Sequence, residues 1–95
     1  MSLDSAIKHA TTDWWASGAA LAIRQLALAD RGFDADHVLD MVGRPPSPEC
    51  VGAVFAAARR SNVIEAVGCR VGRDGRLLRV WWGLPATKGN AQAQR

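Results

Sequence analysis

The chain has no tyrosine, only two cysteines and only two histidines. Cys50 and Cys69 lie far apart with no Cys-x-x-Cys spacing, and His9 and His37 are isolated from them, so no zinc site is expected. There is no glycine-rich phosphate loop, no nucleophile motif and no cluster of metal-ligating side chains. The one carboxylate pair at helical spacing, Asp36 with Asp40, reads as a solvated face rather than an acid/base couple. These absences argue against an enzyme and against any cofactor. No apolar run approaches the ~20 residues that span a bilayer, and the N-terminus lacks a charged start followed by an apolar stretch. The expectation is a cytoplasmic protein away from membranes, with both thiols reduced and buried.

What is present is a 95-residue chain that is 48% hydrophobic and 22% charged. That length makes one small domain with a thin core, to which a second copy would add stability. Its charge is unevenly placed. Residues 1–58 hold four basic against seven acidic residues, net −3, and residues 59–95 hold eight basic against two acidic, net +6. Such asymmetry points to an anionic partner for the C-terminal half.

Residues 1–11 read as a flexible leader. Thr12 or Asp13 can cap a first helix over 13–29. Trp15, Ala19, Ala22, Ile23 and Leu26 share one face of it, while Trp14, Leu21 and Leu28 point elsewhere. A helix so apolar on several sides is buried twice or packs on another subunit. The expected contact is a homodimer through Trp14, Gly18, Leu21 and Leu28, with Gly18 allowing close approach. Gly32 stops this helix, and Phe33 forms either a very short strand or a hydrophobic staple. Asp34 caps a second helix over 35–42, with Val38, Leu39, Met41 and Val42 inward. After the Gly43 to Pro46 break, Ser47 suits an N-cap and Pro48 the first turn of a third helix that Asn62 ends. Val51, Val54, Phe55 and Ala58 form its inner stripe. Two strands follow, over 63–71 and 76–82, joined by a turn whose Asp74-Gly75 is a hairpin signal. One of Trp81 and Trp82 enters the core and the other faces out. The 84–95 tail, rich in Gly, Ala, Gln and Asn, is expected to be disordered.

Three helices followed by a two-stranded hairpin over 12–83 give an α+β winged helix-turn-helix. Arg70, Arg73, Arg76 and Arg79 fall on or beside the hairpin turn, and Arg59 and Arg60 end the third helix. Guanidinium groups hold phosphate in bidentate geometry. The start of the third helix is poor for reading bases, because it carries Glu49 where Arg, Asn or Gln would serve.

The run GRPPSPECVGAVFAAARRSNVIEAVG, followed by LLRVWWG, resembles small proteins of actinobacterial phages and prophages. The segments that carry the resemblance are Asp13-Trp14, residues 33–38, 45–59 and 78–81, within 12–83. It implies a winged-helix-like, DNA-binding domain in the setting of phage replication or transcription regulation, inside a bacterial host. That family places polar residues such as His and Asn near the start of the third helix, where this chain has Ser47-Pro48-Glu49-Cys50. The expected activity is binding of double-stranded DNA, mainly through phosphate, by Arg59, Arg60, Arg70, Arg73, Arg76 and Arg79, with Arg44 and Ser47 beside them. The alternative is a protein-interaction module on the same fold that engages a host or replication protein.

Overall fold

The computed structural model describes residues 3–29 and 31–84, and side chains from Thr12 onward. The elements run α1 (Leu3–Leu28), α2 (Ala35–Val42), α3 (Glu49–Arg60), β1 (Ile64–Val71) and β2 (Leu77–Gly83). This is the α+β order of a winged helix-turn-helix: three helices and then an antiparallel hairpin.

α1 begins at Leu3, ten residues before the start that the Thr12 and Asp13 capping signal predicts. No glycine or proline interrupts residues 3–12, so the helix runs through both cap candidates. Ser17 Oγ instead donates back to the Asp13 carbonyl, 3.0 Å away. The core takes Trp15, Ala19, Ala22, Ile23 and Ala27 from α1, with Leu26 packed at its margin.

α2 starts where Asp34 predicts it. Asp34 Oδ1 accepts from the His37 backbone N–H at 3.2 Å, and His37 Nδ1 accepts from the Asp34 backbone N–H at 3.1 Å. The result is a capping box with histidine in place of the usual Glu or Gln. Val38 is buried, but Met41 is exposed rather than inward. The Gly43 N–H closes α2 onto the Leu39 carbonyl at 2.8 Å, with a φ of 79° that favours glycine. Trp15 Nε1 donates to the Gly43 carbonyl at 3.0 Å, which ties the α2–α3 turn to α1.

α3 starts without the expected Ser47 cap. Pro48 occupies the N-cap with helical φ and ψ and no side-chain cap bond, and Ser47 Oγ lies 3.6 Å from Cys50 Sγ. The C-terminus is better made. Asn62 takes φ 60°, its N–H donates to the Arg59 carbonyl and the Val63 N–H to the Ala58 carbonyl, each at 3.0 Å. That is a Schellman motif with asparagine in the left-handed position.

Phe33 resolves to a strand. It forms an isolated antiparallel bridge with Trp81, through N–H···O bonds of 3.0 and 2.7 Å. The sheet thus reads Phe33, β2, β1 across its width. Phe33, Phe55 and Trp81 lie in a row that joins the bridge, α3 and β2: Phe55 stacks on Trp81 with centroids 5.3 Å apart and meets Phe33 at a tilt, 6.3 Å away. Trp81 is the buried member of its pair and Trp82 is half-buried. Gly83, one residue past the 76–82 expected for the second strand, is part of β2, and a Cβ there would overlap the Ala27 carbonyl of α1. Of the tail expected over 84–95, Leu84 is held by its N–H, which donates to the Val63 carbonyl at 3.0 Å, and residues 85–95 lie outside the described residues.

A β-bulge sets the faces of the hairpin. The register passes from Ala66↔Trp81 to Gly68↔Val80, which makes Val67 the extra residue. Beyond it the alternation of β1 is inverted. Cys69 and Val71 join Trp81, Arg79 and Leu77 on the face toward α3, and Arg70 turns to the opposite face with Leu78 and Val80.

Candidate nucleic-acid interface

The hairpin carries two sets of cations in different circumstances. On the face that Arg70 shares with Leu78 and Val80, the side chain reaches across β2 to Asp34. Asp34 is 2% exposed, so this ion pair is anchored in the fold. Arg70 Nη2 also lies 3.2 Å from His37 Nδ1. Burial works to raise the Asp34 pKa. The hydrogen bonds from Arg70 and the His37 backbone, and the charge of Arg70, outweigh it and hold the carboxyl below its ordinary value. At the tip, Arg73 forks onto both oxygens of Asp40 at 3.2 and 2.6 Å. These hydrogen bonds lower the Asp40 pKa and raise that of Arg73. Arg76 closes on Asp74 within the turn, through its backbone N–H at 3.1 Å and Nε at 2.6 Å. That lowers the Asp74 pKa as well.

Three of the four hairpin arginines are therefore engaged by acids of this same chain. Part of the charge asymmetry between the halves is satisfied internally, where Asp34 at the α2 cap meets Arg70 and Asp40 meets Arg73. The Asp36 and Asp40 spacing also acquires a role: Asp40 is the seat of the wing tip.

The other face opens onto a groove of about 780 Å³ between α3, the start of α2 and the hairpin. Arg59 and Arg60 line it from the end of α3, and Arg79 from β2. Among the described residues none of these three has an acidic partner, and no carboxylate lines the groove. Phe55 and Trp81 make its floor, and Arg79 rests with its guanidinium carbon 5.8 Å from the Trp81 ring centroid. Gly52 and Ala56 leave the α3 wall smooth. Cys69 opens onto the groove as well; it is exposed, and Cys50 is half-buried, so neither thiol is fully buried as expected.

The remaining expected site residues are placed as follows. Arg44 is exposed in the α2–α3 turn, apart from the residues lining the groove. Ser47 is half-buried against Cys50. Trp14, Leu21 and Leu28 are exposed on α1, at 79%, 65% and 47%. Gly18 does not share their setting: its Cα faces α2, where a Cβ would meet Val42 at 3.8 Å. Among the described residues no three His, Cys, Asp or Glu side chains gather to hold a metal, and no helix is long and apolar enough to cross a membrane.

The sequence marks the arginines one by one, but does not spell out their division into two faces. The signal for that division is the bulge at Val67, and its mark in the sequence is Gly68 beside it, an isolated glycine inside a strand. No protein-family model and no curated protein matches the chain.

Proposed function

We propose that the chain is a winged-helix protein that binds duplex DNA through its phosphates, using the groove between α3 and the hairpin. The supporting observation is the set Arg59, Arg60 and Arg79, three guanidiniums on one groove with no carboxylate to neutralise them. Arg73 and Arg76 are secondary contacts, because their ion pairs are exposed and a phosphate can replace the carboxylate. Arg70 is a positioning residue that holds the hairpin to α2. Arg44 and Ser47, before the start of α3, stand apart from the groove and are outlying contacts at most. The small side chains of the α3 wall suit close approach to a backbone rather than reading of bases. The setting is regulation or replication of a phage or prophage genome in the bacterial cytoplasm, with two copies of the chain acting together.

The reading is checked by mobility shift of a duplex of about 30 base pairs across a range of salt. Replacing Arg59, Arg60 and Arg79 together with Ala weakens binding on the order of 100-fold on every sequence, and flattens the slope of log K against log salt by about 2–3. Replacing Arg73 and Arg76 together has the smaller effect. Binding that is unchanged in the triple variant rejects the groove as the interface.

One observation favours a protein-interaction module instead. Val71 and Leu77 form an exposed apolar pair, opposite each other at the outer end of the hairpin on the groove side. A stoichiometric protein captured from nuclease-treated host lysate, together with no affinity for duplex in low salt, would replace the first reading with this one.

A further inference from the structure

Phe55 and Trp81 stack at the floor of the groove, yet at 4% and 7% exposed neither offers its ring to a ligand. Over the Trp81 ring lies the guanidinium of Arg79, whose side chain is exposed and lines the groove. A guanidinium is planar and weakly hydrated, so one held against an indole can carry a second planar ring on its outer face. The space beside it is open. Its neighbour across the ladder is Cys69, a small side chain. Leu77, two residues back along β2 on the same face, is 74% exposed. Arg59 and Arg60 stand on the same groove at the end of α3. The α3 wall at Gly52 and Ala56 offers no side chain to hydrogen-bond a base edge.

We propose that this groove is a site for an unpaired nucleotide of a DNA strand, with its base laid on the Arg79 guanidinium beside Leu77 and its phosphates held by Arg59 and Arg60. The inference rests on the nucleic-acid reading and specifies the form of DNA that fills the groove best. A paired base is already stacked on both faces, and a double helix is too wide to enter a cavity of about 780 Å³. A duplex therefore lays only its phosphates along the rim. An unpaired nucleotide goes in, because the volume falls within the ~300–1,000 Å³ of pockets that enclose a small organic ligand. Sites for single strands combine cations along the backbone with planar groups on which bases stack. Three guanidiniums with no carboxylate beside them supply the first, and Arg79 over Trp81 supplies the second. Stacking on a planar face accepts any base, in keeping with the bare α3 wall. The preferred DNA is thus one with an overhang, a gap or a fork, of any sequence.

The probes are a blunt duplex of about 30 base pairs and the same duplex with an overhang of about five thymidines at the 3′ or the 5′ end, titrated by fluorescence anisotropy across salt. The better overhang duplex is expected to bind about tenfold more tightly than the blunt one. Arg79→Lys keeps the charge and removes the platform. It weakens binding of every probe, the overhang forms most, and the ratio falls to about twofold or less. Arg59→Lys, at a phosphate contact, weakens all probes alike and leaves the ratio near its parent value. Circular dichroism of both variants stays that of the folded chain, because both side chains are exposed. Blunt and overhang duplexes bound equally by the parent overturn the proposal and leave the phosphate reading standing. A preference that survives Arg79→Lys overturns Arg79 as the platform. No affinity for any probe in low salt removes the nucleic-acid reading itself, and this site with it.

Discussion

The two faces of the hairpin hold the same kind of residue under opposite conditions. Toward α2, Arg70 meets Asp34 and Arg73 at the tip meets Asp40, and both charges are answered within the chain. Toward α3, Arg79 joins Arg59 and Arg60 around a groove that no carboxylate lines. Counting arginines therefore overstates the charge on offer to a partner. What matters is which guanidiniums the fold leaves unanswered, and in this chain a single bulged residue makes the difference. One face holds the hairpin in place and the other is left to act.

The largest way to break this contrast is to unseat the hairpin altogether. Gly83→Ala puts a methyl group into the Ala27 carbonyl, between two backbones that cannot yield cheaply. The expected loss is about 3 kcal/mol or more in urea denaturation, and both faces fail together. Next comes Asp34→Ala, which removes the α2 cap and the buried partner of Arg70 at once. A loss of about 2 kcal/mol is expected. Duplex affinity, measured well below the unfolding midpoint, should fall modestly, because the hairpin that carries Arg79 loses its anchor; affinity that is unchanged would show that Arg70 does not position the hairpin.

Acid separates the faces without mutation. The folded-state pKa values of Asp34, Asp40 and Asp74 are all depressed. Their stabilisation is complete above the ordinary carboxylate value of about 4 and disappears as pH falls through the lower folded values. Stability followed by urea midpoints should thus be flat from neutral pH to about 5 and decline below about 4. A chain whose stability rises on acidification would contradict the ion-pair account. The smallest effect belongs to Asp40→Asn, an exposed site. Its urea midpoint should match the parent, while duplex binding tightens slightly because Arg73 is released.

The parts of the fold written in local chemistry were legible from the residues. Asp34 marks the start of α2, Asn62 the end of α3, and Asp74-Gly75 the turn, because each acts within a few positions of itself. Phe33 was legible only as two alternatives, since its choice of strand depends on Trp81, far along the chain. The start of α1 was misplaced because Thr12 and Asp13 have cap chemistry, yet a helix that can continue upstream has no need of a cap. Met41 shows a related failure: its spacing fits the inner face of α2, but that helix is short and its last turn runs out of core to cover. The candidate site was readable in its residue types and not in its geometry. The Arg70–Asp34 and Arg73–Asp40 pairs join residues more than thirty positions apart, and Arg59, Arg60 and Arg79 meet at one groove only once the hairpin has folded back beside α3.

The bridge between Phe33 and Trp81 has a bearing on how the protein is made. As the chain leaves the ribosome, α1 and α2 emerge well before β2, yet the aromatic row that closes their core is incomplete without Trp81. Phe33 has no strand to join until then, and Ala27 has no Gly83 to lie against. The contacts that complete the core join the first half of the chain to its last described strand, so closure of the core depends on β2.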